Sequence, residues 1–181
     1  MKISLRYALI LILSVSGAAA EAKTGVNLAP VAEPSTSHVS RDTSLAALHD
    51  GHAPKVSHER GKGAYGNWPT KGTQWVQYDW AAPVRTRKID VFWWGDRGGI
   101  DVPKAYRVLY WDGKAFVPVR NPSGLGVARD TFNTTTFDDV RTSKLRLEMD
   151  SDSKGRSTGI LEWKVYNEGE LPNLPPSVTA G

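Results

Sequence analysis

The feature that most constrains this chain is an apolar/polar alternation with a period of two, repeated in short runs after Gly72. A strand points successive side chains to opposite faces, so this period is the signature of half-buried β-structure. In Gln74–Trp80 the residues Val76, Tyr78 and Trp80 share one face. In Ile89–Trp94, Ile89, Val91 and Trp93 fall on one side, and Asp90, Phe92 and Trp94 on the other. Tyr106–Trp111 runs through Asp112-Gly113 into Phe116–Val119, and Asp-Gly between two apolar runs predicts a tight hairpin. Phe132–Phe137 is rich in β-branched residues, and Lys144–Met149 alternates cleanly between charged and apolar. Ile160–Tyr166 closes the set and would bury Leu161, Trp163 and Val165. Seven or eight short strands without a long helix predict an all-β, antiparallel β-sandwich of the jelly-roll kind. Periodicity alone leaves the strand order open.

The flanks read differently. Lys2 and Arg6 precede the apolar run Tyr7–Val15, and Ala18-Ala19-Ala20 offers small residues for cleavage, so 1–20 reads as a secretory signal peptide. The run is too short for a membrane span. The domain is expected over 21–168, with 21–67 loop-like apart from a helical turn within Asp42–Leu48. Residues 169–181 carry Pro172, Pro175 and Pro176 and read as a linker, and Leu174–Gly181 resembles the opening strand of an immunoglobulin-like repeat, which would make the chain the front of a larger protein or a truncated version of one. The signal points to a secreted or periplasmic location. With no cysteine, neither a disulfide framework nor a thiol nucleophile is available.

Charge excludes another class. Of 23 basic residues Lys2 and Arg6 belong to the leader, leaving 21 against 19 acidic ones, interspersed and without a basic block. Nucleic-acid binding gains no support from that pattern. No G-x-S-x-G elbow occurs, and pairs such as Asp138-Asp139 arise by chance among so many acids, so an enzyme is not expected.

Taken in order, Asn27-Leu28-Ala29, Leu48-His49-Asp50-Gly51, Gln74–Trp80, Tyr106–Gly113 and Ile160–Tyr166 resemble the coagulation factor V/VIII type C, or discoidin-like, domains. The likeness spans about Val26 to Asn167 and is nearest to bacterial carbohydrate-binding modules of family 32. Ala64–Trp68, Trp94–Ile100 and Asn121–Gly124 further resemble modules attached to secreted glycoside hydrolases that attack plant polysaccharides. The resemblance implies a galactose-binding-like sandwich that binds carbohydrate without catalysis. It also implies a structural Ca²⁺ in the loop around Asp50, closed by Glu162, with backbone oxygens from Ala47 and His52. The family's hydroxyl ligand falls on Lys55 here, and Ser57 is the substitute two residues on. Calcium prefers such a mixture of carboxylate and carbonyl oxygens.

A sugar site needs an exposed aromatic plane and paired hydrogen-bonding groups. Trp75, Trp80, Trp93, Trp111 and Trp163 lie within strands and are expected to pack. Trp68 and Trp94 border glycine-rich loops. Trp94, Asp96 and Arg97, supported by Tyr65 and Trp68, are therefore the expected ligand-binding set, with guanidinium and carboxylate gripping neighbouring hydroxyls. The readings to be weighed against this are an adhesion domain that binds protein or cell surfaces, a small glycoside-acting enzyme, and a zinc site at His49 and His52.

Overall fold

The computed structural model describes residues 25–59, 63–152 and 154–167, so the expectations for 1–20 and 169–181 lie outside the described residues. The strands are β1 (Glu33–Thr36), β2 (Tyr65–Gly66), β3 (Thr73–Trp94), β4 (Ile100–Asp101), β5 (Ala105–Trp111), β6 (Phe116–Pro118), β7 (Phe132–Asp150) and β8 (Ser157–Asn167). All pair antiparallel except β4 with β8. The chain is the expected all-β sandwich, with two short 3-10 turns among the described residues, one of them at Leu45–Leu48 within the predicted helical segment.

Two strand pairs expected to be separate are continuous. Gln74–Trp80 and Ile89–Trp94 are the two halves of β3, and Phe132–Phe137 and Lys144–Met149 are the two ends of β7. The β3–β7 register shifts between Asp79 and Val84, where the paired ribbon passes from one layer to the other. The N-terminal half of β3 lies between β1 and the C-terminal half of β7, which leads to β5 and β6. Its C-terminal half lies between β7 and β8, with β2 beyond. Bulged long strands of this kind let one ribbon serve two sheets.

Aromatic contacts across the interior join the layers. Tyr78 stacks on Trp163 with ring centroids 4.1 Å apart and planes within 12°, and Trp93 meets Tyr106 edge-on at 5.0 Å. Buried Val76, Ile89, Val91, Leu145, Leu147 and Met149 fill the remaining space, the alternation of the sequence made spatial. Burying each such side chain contributes roughly 1.5–3 kcal/mol. Trp75 and Trp111 depart from expectation. Both are half-buried on the outer face, where the Arg146 guanidinium lies 4.3 Å from the Trp75 ring and 3.8 Å from Phe116, itself edge-on to Trp111.

The Asp112-Gly113 hairpin forms, but as a four-residue connection between Trp111 and Phe116. Only Gly113 takes a positive φ, while the Asp112 carboxylate accepts hydrogen bonds from the Lys114 and Ala115 amides, a turn closed by a side chain. Among the described residues no helix is long and apolar enough to cross a membrane.

Candidate functional site

The loop after β3 decides the site. Asp96 Oδ1 accepts hydrogen bonds from the backbone N–H of Gly98 (2.7 Å) and Ile100 (2.9 Å), folding the loop back over the outer face of its own sheet. Ile100 then packs with Phe92, Trp94, Leu161 and Ala64 as a second apolar cluster. Trp94 therefore points outward from the sheet, as the alternation requires, yet is only 3% exposed. The expected stacking platform at Trp94 is corrected by this cover: its indole is a core residue. Two glycines make room for it, since a Cβ on Gly159 would stand 2.7 Å from Trp94 Cε3 and one on Gly66 3.0 Å from Cζ3.

Tyr65 is corrected in the same way. It is fully buried, and its hydroxyl donates to the His38 carbonyl (3.0 Å) and lies 2.7 Å from Thr36 Oγ1. Burial pushes the phenol up to about 12. Asp96 builds the turn, and the exposed Arg97, at φ 63°, donates to His58 Nε2 at 3.0 Å. The expected grip of Asp96 and Arg97 on neighbouring hydroxyls thus gives way to a loop-forming carboxylate and a tethered guanidinium.

Trp68 is where an aromatic plane does face solvent, 54% exposed. Its backbone is held firmly. The Trp68 carbonyl accepts from Ser40 Oγ (2.9 Å) and His38 Nε2 (3.3 Å). The preceding Asn67 is buried, and its side chain exchanges two hydrogen bonds with Thr158 of β8, at 2.7 and 2.8 Å. One edge of the indole rests on Gly99, where a Cβ would come within 2.7 Å of Trp68 Cδ1 and 2.8 Å of Nε1. The structure thus brings Trp68 together with the 95–99 loop while turning Trp94 inward.

Beside Gly99 lies a charge cluster that periodicity did not announce. Asp101 is buried in β4, and its two carboxylate oxygens take Arg129 Nη2 and Arg156 Nη2. Arg156 Nε also donates to Asp152 Oδ2 at 2.6 Å. Burial alone would raise the Asp152 carboxyl, but hydrogen bonds from the Arg156 backbone and side chain outweigh it and hold it below the usual range. Arg156 is raised in turn, first by the Asp152 hydrogen bond. Arg129 and Arg156 are distant from Asp101 in sequence, so only the pairing of Ile100–Asp101 with Ser157–Thr158 signals the cluster.

The expected calcium ligands divide. Glu162 is fully buried, and among the described residues neither of its carboxylate oxygens has a hydrogen bond of full geometry. Burial pushes this carboxyl up to about 7, the nearby Asp50 carboxylate adds to the rise, and Lys164 and the Gly51 amide offset part of it. Asp50 is exposed on the loop, where its Oδ1 accepts from the His52 amide at 2.8 Å. Ala47 is buried in the adjoining 3-10 turn. A buried carboxylate within electrostatic reach of Asp50 and the Gly51 amide offers the oxygen chemistry that a hard cation takes. Ser57 does not fit. Its amide donates to Asp130 Oδ1 (2.5 Å) and its hydroxyl accepts from the Asp130 amide (2.8 Å), so it joins the 57–59 and 129–130 loops. His49 and His52 go to different partners. His49 packs edge-on against Tyr78, with burial holding its imidazole below the ordinary value, and His52 Nε2 sits 2.5 Å from Glu59 Oε1.

No family model matches this chain. Solved structures share its fold. A chain from the β-galactosidase of Streptococcus pneumoniae superposes with a TM-score of 0.71 at 17% identity, covering 80% of this chain and 99% of that one. The chitosan-binding module 1 from the chitosanase/glucanase of Paenibacillus sp. IK-5 gives 0.61 at 13%, covering 78% and 99%. A pectin-binding carbohydrate-binding module gives 0.58 at 17%, covering 80% and 96%. At these identities the likeness is one of architecture alone, shared with the two carbohydrate-binding modules and the β-galactosidase chain.

Proposed function

We propose that this protein is a secreted, non-catalytic carbohydrate-binding module of the discoidin-like kind, and that Trp68 is the surface on which a sugar ring stacks. The observation that carries the reading is a half-exposed indole on a backbone fixed by Ser40, His38 and the Asn67–Thr158 pair. A pyranose offers an apolar C–H face to such a ring, and a platform held in place before binding loses little entropy on contact. The fold shared with chitosan-binding and pectin-binding modules supports the class. Single-site affinity would be weak, since few atoms are in contact. Its use would be to hold an attached hydrolase on a polysaccharide by raising local concentration. Segment 1–20 would direct export, and 169–181 would join this domain to further modules.

Catalysis is disfavoured by the placement of the one carboxyl, among the described residues, that burial raises toward neutrality. Glu162 is closed from solvent, so it cannot reach a substrate. We propose instead that Asp50, Glu162 and the carbonyls of Ala47 and His52 hold a structural Ca²⁺, which would neutralise the buried charge. Without metal, the folded Glu162 titrates near 7 and an unfolded one near 4.5. Between those values the folded state keeps a proton that the unfolded chain has released, so stability falls as pH rises through the window and the full penalty stands above it. The penalty is at most roughly 3–4 kcal/mol, since a tenfold change in proton affinity is worth about 1.4 kcal/mol. Calcium should therefore raise the Tm at pH 8 and have little effect at pH 4.5. Equal Tm values in calcium and in chelator at pH 8 would remove the metal from the proposal.

The sugar reading is tested with a glycan array on wild type and Trp68→Ala. Loss of signal in the variant, with unchanged unfolding, is the expected result, and equal binding by the two proteins refutes the site.

A further inference from the structure

From the charge cluster beside Trp68 we infer that the sugar taken there is anionic, its charge carried by a carboxylate or a sulfate ester. The inference rests on the reading of Trp68 as the stacking platform. Its basis is an asymmetry of exposure within one ion-pair network. The Asp101 side chain is 3% exposed and that of Asp152 12%, whereas the arginine side chains they hold, Arg129 and Arg156, are 48% and 31% exposed. Of these four paired side chains the two anions are the more buried and the two cations the more exposed, and the partly exposed Asp96 also acts on Arg156.

Hydrogen-bonding capacity points the same way. A guanidinium carries five N–H donors and no acceptor. Arg129 gives Nη2 to Asp101 while its Nη1 lies over Gly95, 3.1 Å from where a Cβ would stand. Arg156 gives Nη2 to Asp101 and Nε to Asp152. Each guanidinium carries more donors than these contacts use, while Asp96 Oδ1 accepts from both the Gly98 and the Ile100 amide. A neutral sugar presents hydroxyls that both donate and accept, and a rim with hidden acceptors serves only half of that capacity. A carboxylate or sulfate only accepts, and its oxygens match the fork of a guanidinium.

The two parts of the rim meet at one short segment. Gly99 floors the Trp68 indole, its carbonyl accepts from Ser157 next to Arg156, and Asp101 follows two residues later. A ring stacked on Trp68 can therefore direct an acidic substituent toward Arg129 and Arg156. Asp101 is a positioning residue that aims both guanidiniums outward.

The test is calorimetry or affinity electrophoresis with oligosaccharides of galacturonate, of mannuronate and guluronate, and of a glucuronate-containing polymer. Each is paired with its carboxyl-reduced neutral counterpart, and a sulfated galactan is paired with its desulfated form. At least one acidic member should bind tenfold or more tighter than its neutral partner, weaken several-fold from 50 to 300 mM NaCl, and lose most of that preference in Arg129→Gln. Arg156 keeps Asp101 paired in that variant, and the salt dependence of wild type reports independently of any variant's folding. Preference confined to the sulfated pair identifies the source of the charge as sulfate. Equal binding of acidic and neutral partners overturns the inference but leaves carbohydrate binding standing. Binding to none of the acidic or neutral glycans overturns both.

Discussion

Two tryptophans border glycine-rich loops in this chain and meet opposite fates. Trp94 ends β3 on the outer face of its sheet and is sealed there by the loop that follows, with Ile100, Phe92 and Leu161 around it. Trp68 sits between β2 and β3, anchored through its carbonyl and its neighbour Asn67, and its ring stays in solvent. Each indole rests on glycine, Gly159 under Trp94 and Gly99 under Trp68. The difference lies in what covers the second face. Asp96 folds the 95–100 segment over Trp94, whereas the same segment meets Trp68 only at an edge. Proximity to a flexible loop thus says little about exposure, because a loop can serve as a lid or as a floor.

The contrast can be broken in order of effect. Trp94→Ala should cost about 3–5 kcal/mol in chemical denaturation, the usual range for emptying an aromatic core site. A loss under 1 kcal/mol would mean that Trp94 is not core. Gly159→Ala should cost about 1–3 kcal/mol through overpacking against the Trp94 ring, while glycan affinity per folded molecule stays unchanged. Trp68→Ala should reverse the pattern. Affinity should fall roughly tenfold, in line with about 1–1.5 kcal/mol for a stacked ring, and stability should move by no more than about 0.5 kcal/mol. Smallest is Gly99→Ala, where the new methyl displaces the Trp68 edge. Glycan titration should show a loss of a few-fold with the Tm nearly constant, and unaltered affinity would detach Gly99 from the site.

Much of this was legible in the residues. The period-two runs placed Val76, Tyr78, Ile89, Val91, Trp93, Trp163 and Val165 in the core, and the structure agrees. They also put Trp94 and Phe92 on the face opposite Trp93, which is correct. Periodicity reports the side of a sheet on which a residue lies, however, and not whether another segment covers that side. Leu161 shows a second limit. Strict alternation groups it with Trp163, but a register shift at Phe92/Trp93 sends it to the outer cluster with Trp94. Trp68 was named only as a supporting residue, because a tryptophan in a loop carries no periodic signal of its exposure.

The sequence by itself determined the class of fold, since alternation in seven runs leaves no helix-sized apolar face to bury and two sheets are the means of sheltering what it does provide. It also determined the turn at Asp112-Gly113, whereas Asp50 and Glu162 became candidates for one cation only through the family resemblance. Only the tertiary structure decided which indole meets solvent, that Ser57 answers to Asp130, and that Asp101 gathers Arg129 and Arg156. Those contacts join segments tens of residues apart, and their geometry comes from strand pairing and loop cover, which no local pattern encodes.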